Sequence, residues 1–130
     1  MDKKNLISYW VDSSDRDFAT MQHLFETKDY HWSLFIGHLV VEKLLKAYYV
    51  KNIDQHVPFT HNLLRLADKS NLILSEKQKD FLDTLSSFNI RARYDDYKLE
   101  FYKICTKEFT EHWIIQITTF REWIKTLFLR

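Results

Sequence analysis

Residues 31–51 (HWSLFIGHLVVEKLLKAYYVK) constrain the fold of this chain more than any other stretch. Leu34, Phe35, Leu39, Val40, Val41, Leu44, Leu45 and Tyr48, among others, put apolar side chains almost all the way round a helix of this length. Such a helix has no face to give wholly to water, so other helices must surround it. His38, Glu42 and Lys46 nevertheless recur every fourth residue and line up as one polar stripe. A stripe of that kind is either a wet edge or the floor of a site. The simpler expectation is a solvated face, or a contact with a second copy or another partner.

The rest of the chain supplies what this helix needs. One Gly and one Pro in 130 residues leave almost nothing for tight hairpin turns. Four Trp, seven Tyr and ten Phe make the core bulky, and this length supports a single domain over residues 1–130. The reading is an all-α fold: an up-and-down antiparallel four-helix bundle with an additional short helix. A first helix over residues 5–27 is marked by Ile7, Val11, Ser14, Phe18, Met21 and Phe25 in steps of four and three. Lys28, Asp29 and Tyr30 form a short joint. Residues 52–59, with Pro58, read as a loop, and Thr60 as the cap of a short helix over 61–69. Ser75 with Gln78 is a capping-box pattern opening a helix that carries Phe81, Leu85, Phe88 and Ala92. Residues 93–97 read as an irregular link, and a last helix from about Lys107 carries Phe109, Trp113, Ile117, Phe120, Ile124 and Leu127. Gly37, inside the central helix, costs about 1 kcal/mol relative to Ala there. The close approach of another backbone, within the bundle or across a dimer interface, is the expected compensation.

Charge narrows the function classes. Nineteen basic residues stand against eighteen acidic ones, with no polybasic block, so strong non-specific binding to nucleic acid or membrane is not expected. A local phosphate-binding patch remains open. The single Cys105 has no intramolecular partner and fits a reducing interior as an inert thiol. Leu6-Ile7 is broken at once by Ser8 and Asp12, which is not a signal-peptide pattern, and no apolar run approaches the roughly 20 residues of a membrane span. A cytoplasmic protein with no cofactor is the expectation.

Three clusters carry candidate chemistry: the His38/Glu42/Lys46 stripe, His61-Asn62 after the Pro loop, and Arg91 to Asp96. Their order, Trp32, then Glu42-Lys43-Leu44-Leu45-Lys46-Ala47, then Pro58-Phe59-Thr60-His61-Asn62-Leu63, then Ala92-Arg93-Tyr94-Asp95-Asp96, resembles the HEPN family over nearly the full chain. The resemblance implies a helical bundle that commonly dimerises and often pairs with a minimal nucleotidyltransferase in toxin–antitoxin or defence modules. It also implies a metal-independent ribonuclease signature in many members, an Arg followed after four to six residues by a His. Here that window falls on Asp96, Tyr97 and Lys98 from Arg91, and on Lys98, Leu99 and Glu100 from Arg93; the next His is His112. The signature is absent. In some pairs the partner adenylylates a Tyr just after that motif; Tyr94, Tyr97 and Tyr102 lie in the region, without the His-x-Tyr arrangement.

The expectation is therefore a divergent or non-catalytic HEPN homodimer that binds a nucleotide, RNA or a nucleotidyltransferase. Arg93, Tyr94 and Asp95 are the leading binding candidates, with Arg91, Lys43, Lys46 and His61 around them. Arginine suits bidentate phosphate contact, and a tyrosine ring suits base stacking. Each has a plainer reading: Arg93 pairs with Asp95 to shape the link, Arg91 caps a helix C-terminus, and His61 anchors the short helix. The alternative is a ribonuclease whose general base has moved to His61, and a third reading is a purely structural adaptor. His38 and Glu42 share a face, but no third ligand follows at sensible spacing, so a metal site is not expected.

Overall fold

A computed structural model describes residues 2–129 of the protein. Among the described residues it is all helical: α1 (Lys3–Glu26), α2 (Tyr30–Asn52), α3 (Leu63–Lys69), α4 (Glu76–Arg91), α5 (Asp95–Ile104) and α6 (Lys107–Leu127). The α2 helix is the hub, packed against each of the other five. Its Leu34, Val40, Val41, Leu44, Leu45, Ala47 and Val50 are fully buried, as an all-round apolar helix requires.

Small polar residues let α1 lie close along α2. The Ser14 hydroxyl donates to the Val40 carbonyl at 2.7 Å, and the Ser33 hydroxyl donates to the Met21 carbonyl at 2.8 Å. These two buried bonds cross-link the helices in both directions. The joint between them is tight because Lys28 adopts a left-handed φ of 66°. At the far edge, Asp15 on α1 accepts from Lys125 at 2.6 Å and from Arg121 at 3.1 Å on α6. Aromatic rings fill the space among α4, α5 and α6: Phe88 lies 4.8 Å from Trp113 and 5.0 Å from Phe101, centroid to centroid.

Four local expectations change. The segment expected to be an irregular link is mostly helix, since Asp95 opens α5; Asp95 and Asp96 fill its first turn, where acidic side chains favour a helix N-terminus. The bundle thus has two shorter helices beside the four long ones. The short helix α3 is capped by Asn62, whose side chain accepts from the Arg65 N–H at 3.1 Å, while Thr60 accepts from the Asn62 N–H. That places His61 in the loop, just outside the helix. Gly37 is pressed by side chains rather than by another backbone: a Cβ there would lie 2.6 Å from Ile117 Cδ1 and 3.1 Å from Met21 Sδ. The contact is internal to the bundle. The Ser75–Gln78 capping box is present as expected, with both reciprocal bonds.

Candidate functional site

The polar stripe of α2 is not a wet face. His38 is fully buried, Glu42 is 3% exposed, and Lys46 is mostly covered. The expectation of a solvated stripe fails because the 53–62 loop folds over it and α1 covers its far end. His61, from that loop, brings its Nδ1 to 2.8 Å from Glu42 Oε1. Lys46 Nζ sits 3.1 Å from Glu42 Oε2 and 4.9 Å from the Trp10 ring centroid on α1. Each carboxylate oxygen therefore has its own cationic or N–H partner, which is what a buried carboxylate needs.

His38 secures the same loop through the backbone. Its Nε2 lies 3.0 Å from the His61 carbonyl oxygen, an acceptor, so Nε2 carries the proton. Burial pushes the His38 pKa below its ordinary value; Glu42 and the carbonyl oppose this, while His61 and Arg93 reinforce it. His38 is thus a neutral imidazole, and its buried Nδ1 has no protein partner. The loop residue His61 is gripped twice: its carbonyl by His38, its ring by Glu42. A carboxylate accepts, so the proton sits on Nδ1 and the Nε2 lone pair of this half-exposed ring faces outward.

Arg93 follows α4. Its Nε donates to the Asn89 carbonyl at 2.9 Å and its Nη2 to Asn89 Oδ1 at 2.6 Å, and Asn89 is itself buried. The guanidinium also lies 5.6 Å from the Phe35 ring and 5.4 Å from the Tyr94 ring. Two hydrogen bonds and two rings fix its plane, and the remaining N–H groups of this exposed residue are unspent. Among the described residues no ion pair joins Arg93 to Asp95 or Asp96, so the expected Arg93–Asp95 pairing is not what shapes this turn. Its positive charge reaches the buried His38.

The other candidates are placed differently. Arg91 lies with its guanidinium 4.9 Å from the Phe101 ring, in the last turn of α4. Lys43 turns toward α1, with Nζ 2.7 Å from Asp17 Oδ2 and 2.8 Å from Ser13 Oγ. Tyr94 and Asp95 are exposed beside Arg93. Burial pushes the Cys105 thiol up to about 12, which leaves no reactive thiolate. His38, Glu42 and His61 converge, yet His38 spends its Nε2 proton on a carbonyl and Lys46 holds the second Glu42 oxygen; among the described residues no group of three His, Cys, Asp or Glu could hold a metal ion. Among them, too, no helix is long and apolar enough to cross a membrane. Asn89 is the orienting residue that the sequence left unmarked; the available signal was a polar side chain one turn before Arg93.

A family model for the HEPN domain matches residues 7–127. The chain belongs to the HEPN family. No curated protein and no solved structure matches it. Membership accounts for the all-α architecture and places this HEPN protein among nucleotide- or RNA-related modules.

Proposed function

We propose that this HEPN protein is a binding module for phosphate-bearing nucleotide or RNA, working as a homodimer beside a minimal nucleotidyltransferase of the toxin–antitoxin or defence type. The observation that carries this reading is Arg93, exposed, free of a carboxylate partner, and already held in one plane by Asn89, Phe35 and Tyr94. A guanidinium fixed before its ligand arrives loses little entropy on forming a bidentate phosphate contact. Tyr94 beside it offers a ring for a base. The missing Arg-x4–6-His signature supports binding without the family's usual cleavage chemistry. Calorimetric titration of a nucleoside monophosphate, and co-purification with the candidate nucleotidyltransferase, test this in wild type and Arg93→Ala. Loss of binding with unchanged far-UV circular dichroism is expected; wild-type affinity in the variant overturns the reading.

One observation favours a second reading, a metal-independent ribonuclease. The Glu42–His61 contact of 2.8 Å orients the ring as a general base would need. In that reaction His61 Nε2 takes the 2′-hydroxyl proton, the 2′-oxygen bonds to phosphorus, and the 5′-oxygen leaves with a proton from water. RNA cleavage that is lost in both His61→Ala and Arg93→Ala would establish it.

A further inference from the structure

A second group of cations and rings lies at the other end of α5, outside the site built on Arg93. His31, in the first turn of α2, stands 5.3 Å from the Tyr102 ring and 4.9 Å from the Trp32 ring, centroid to centroid. Lys98 Nζ lies 5.3 Å from the centroid of Trp32. His31 and Tyr102 together form the wall between two cavities. One, of about 390 Å³, is lined by Lys28, Tyr30, Lys103 and Thr106; the other, of about 350 Å³, by Asp95, Lys98 and Leu99.

The chemistry of the larger cavity is that of an anion site. Lys28 and Lys103 are exposed, and among the described residues neither is in an ion pair. Thr106 is the N-cap of the 21-residue α6, so the free N–H groups of that helix open on the same corner. The Nδ1 of His31 is buried and has no protein partner. Tyr102, more than half exposed, presents a ring at the rim. The carboxylates near this seam are Asp29, whose charge reaches His31, and Asp95 in the adjoining cavity.

Seen along α5, the cations form a row. Arg93 stands just before its first turn, Lys98 in the middle and Lys103 at its end, each against a ring of α2 or α5 or beside one. A ten-residue helix is about 15 Å long, too far for one phosphate group to touch both ends. We infer that this row is a track for a short single strand of RNA, with one phosphate on Arg93, another in the Lys28/Lys103 cavity, and bases on the exposed rings of Tyr94 and Tyr102. A mononucleotide occupies only the Arg93 end. The inference rests on the binding function proposed above and names its ligand class.

The test is fluorescence anisotropy of a labelled uridine oligonucleotide over a salt series, beside calorimetry with uridine monophosphate, for wild type, Lys28→Ala/Lys103→Ala and Arg93→Ala. The double-lysine variant should bind the mononucleotide as wild type does but bind the oligonucleotide more weakly. Its salt slope should be shallower by about 1.4, since each single-strand phosphate contact contributes about 0.7. An unchanged oligonucleotide affinity and slope in that variant overturns the track. Wild-type binding of both ligands by Arg93→Ala overturns the binding function beneath it instead.

Discussion

His61 Nδ1 lies 2.8 Å from Glu42 Oε1, joining a half-exposed loop side chain to a carboxylate sunk in the central helix. Nineteen positions separate the two residues in sequence. This contact, with Lys46 on the other carboxylate oxygen and His38 on the loop backbone, turns a stripe of α2 into the floor beneath the 53–62 loop.

Removing the Glu42 carboxylate should therefore be expensive. Glu42→Ala leaves Lys46 and His61 facing a dry gap, and breaking a buried pair costs about 3–5 kcal/mol. Urea denaturation should show that loss. A change below about 1 kcal/mol, the range of a surface ion pair, would show that water reaches the stripe.

Acid should loosen the fold through His38. Its folded-state pKa is lowered, first by burial, so the unfolded chain binds more protons than the native one as pH falls past the ordinary value of 6.5. Stability is therefore fully present above that value and declines as pH drops through it toward the folded-state pKa. His31 shifts in the same direction, by burial first and then by Lys98, and adds to the decline. Midpoints of chemical denaturation between pH 8 and pH 5 should fall in wild type and fall less steeply in His38→Gln; equal slopes would remove His38 as the cause.

Both the strength and the limits of sequence reading show in these residues. The Ser75–Gln78 capping box and the all-round apolar α2 were legible because each depends on residues within a few turns of each other. The burial of Glu42 was not, because it depends on a loop that returns from 19 residues away. The start of α5 was missed for a local reason: Asp95 and Asp96 look like link residues until Tyr94 is recognised as the position before the first turn. The family motifs pointed to Arg93 correctly as an exposed cation, yet gave no sign that Asn89, and not Asp95, holds it.

Gly37 offers a packing test. Alanine gains about 1 kcal/mol of helix propensity, but its Cβ meets Ile117 Cδ1 at 2.6 Å in a fully buried position. Overpacking of this kind costs about 1–3 kcal/mol, so Gly37→Ala should destabilise by roughly 1 kcal/mol. Ile117→Val removes the colliding methyl, and the Gly37→Ala/Ile117→Val double variant should lose less than the two single changes added together. Strict additivity in thermal melts would mean that α2 and α6 move apart freely here.

Asn89 should matter to binding through Arg93. Asn89→Ala removes the 2.6 Å bond to the guanidinium without touching the ligand contact itself. Loss of one such charged hydrogen bond corresponds to about 1.5–3 kcal/mol at most, so ligand affinity should weaken clearly but by less than in Arg93→Ala. Equal affinity for wild type and Asn89→Ala in calorimetry would show that Arg93 orients on its ligand unaided.

The most direct measurement is retention of labelled single-stranded RNA by wild type and Arg93→Ala at equal helical content, with the RNA from each mixture resolved for length afterwards. The account predicts intact RNA bound by wild type and released by the variant. RNA held equally well by both proteins would contradict it.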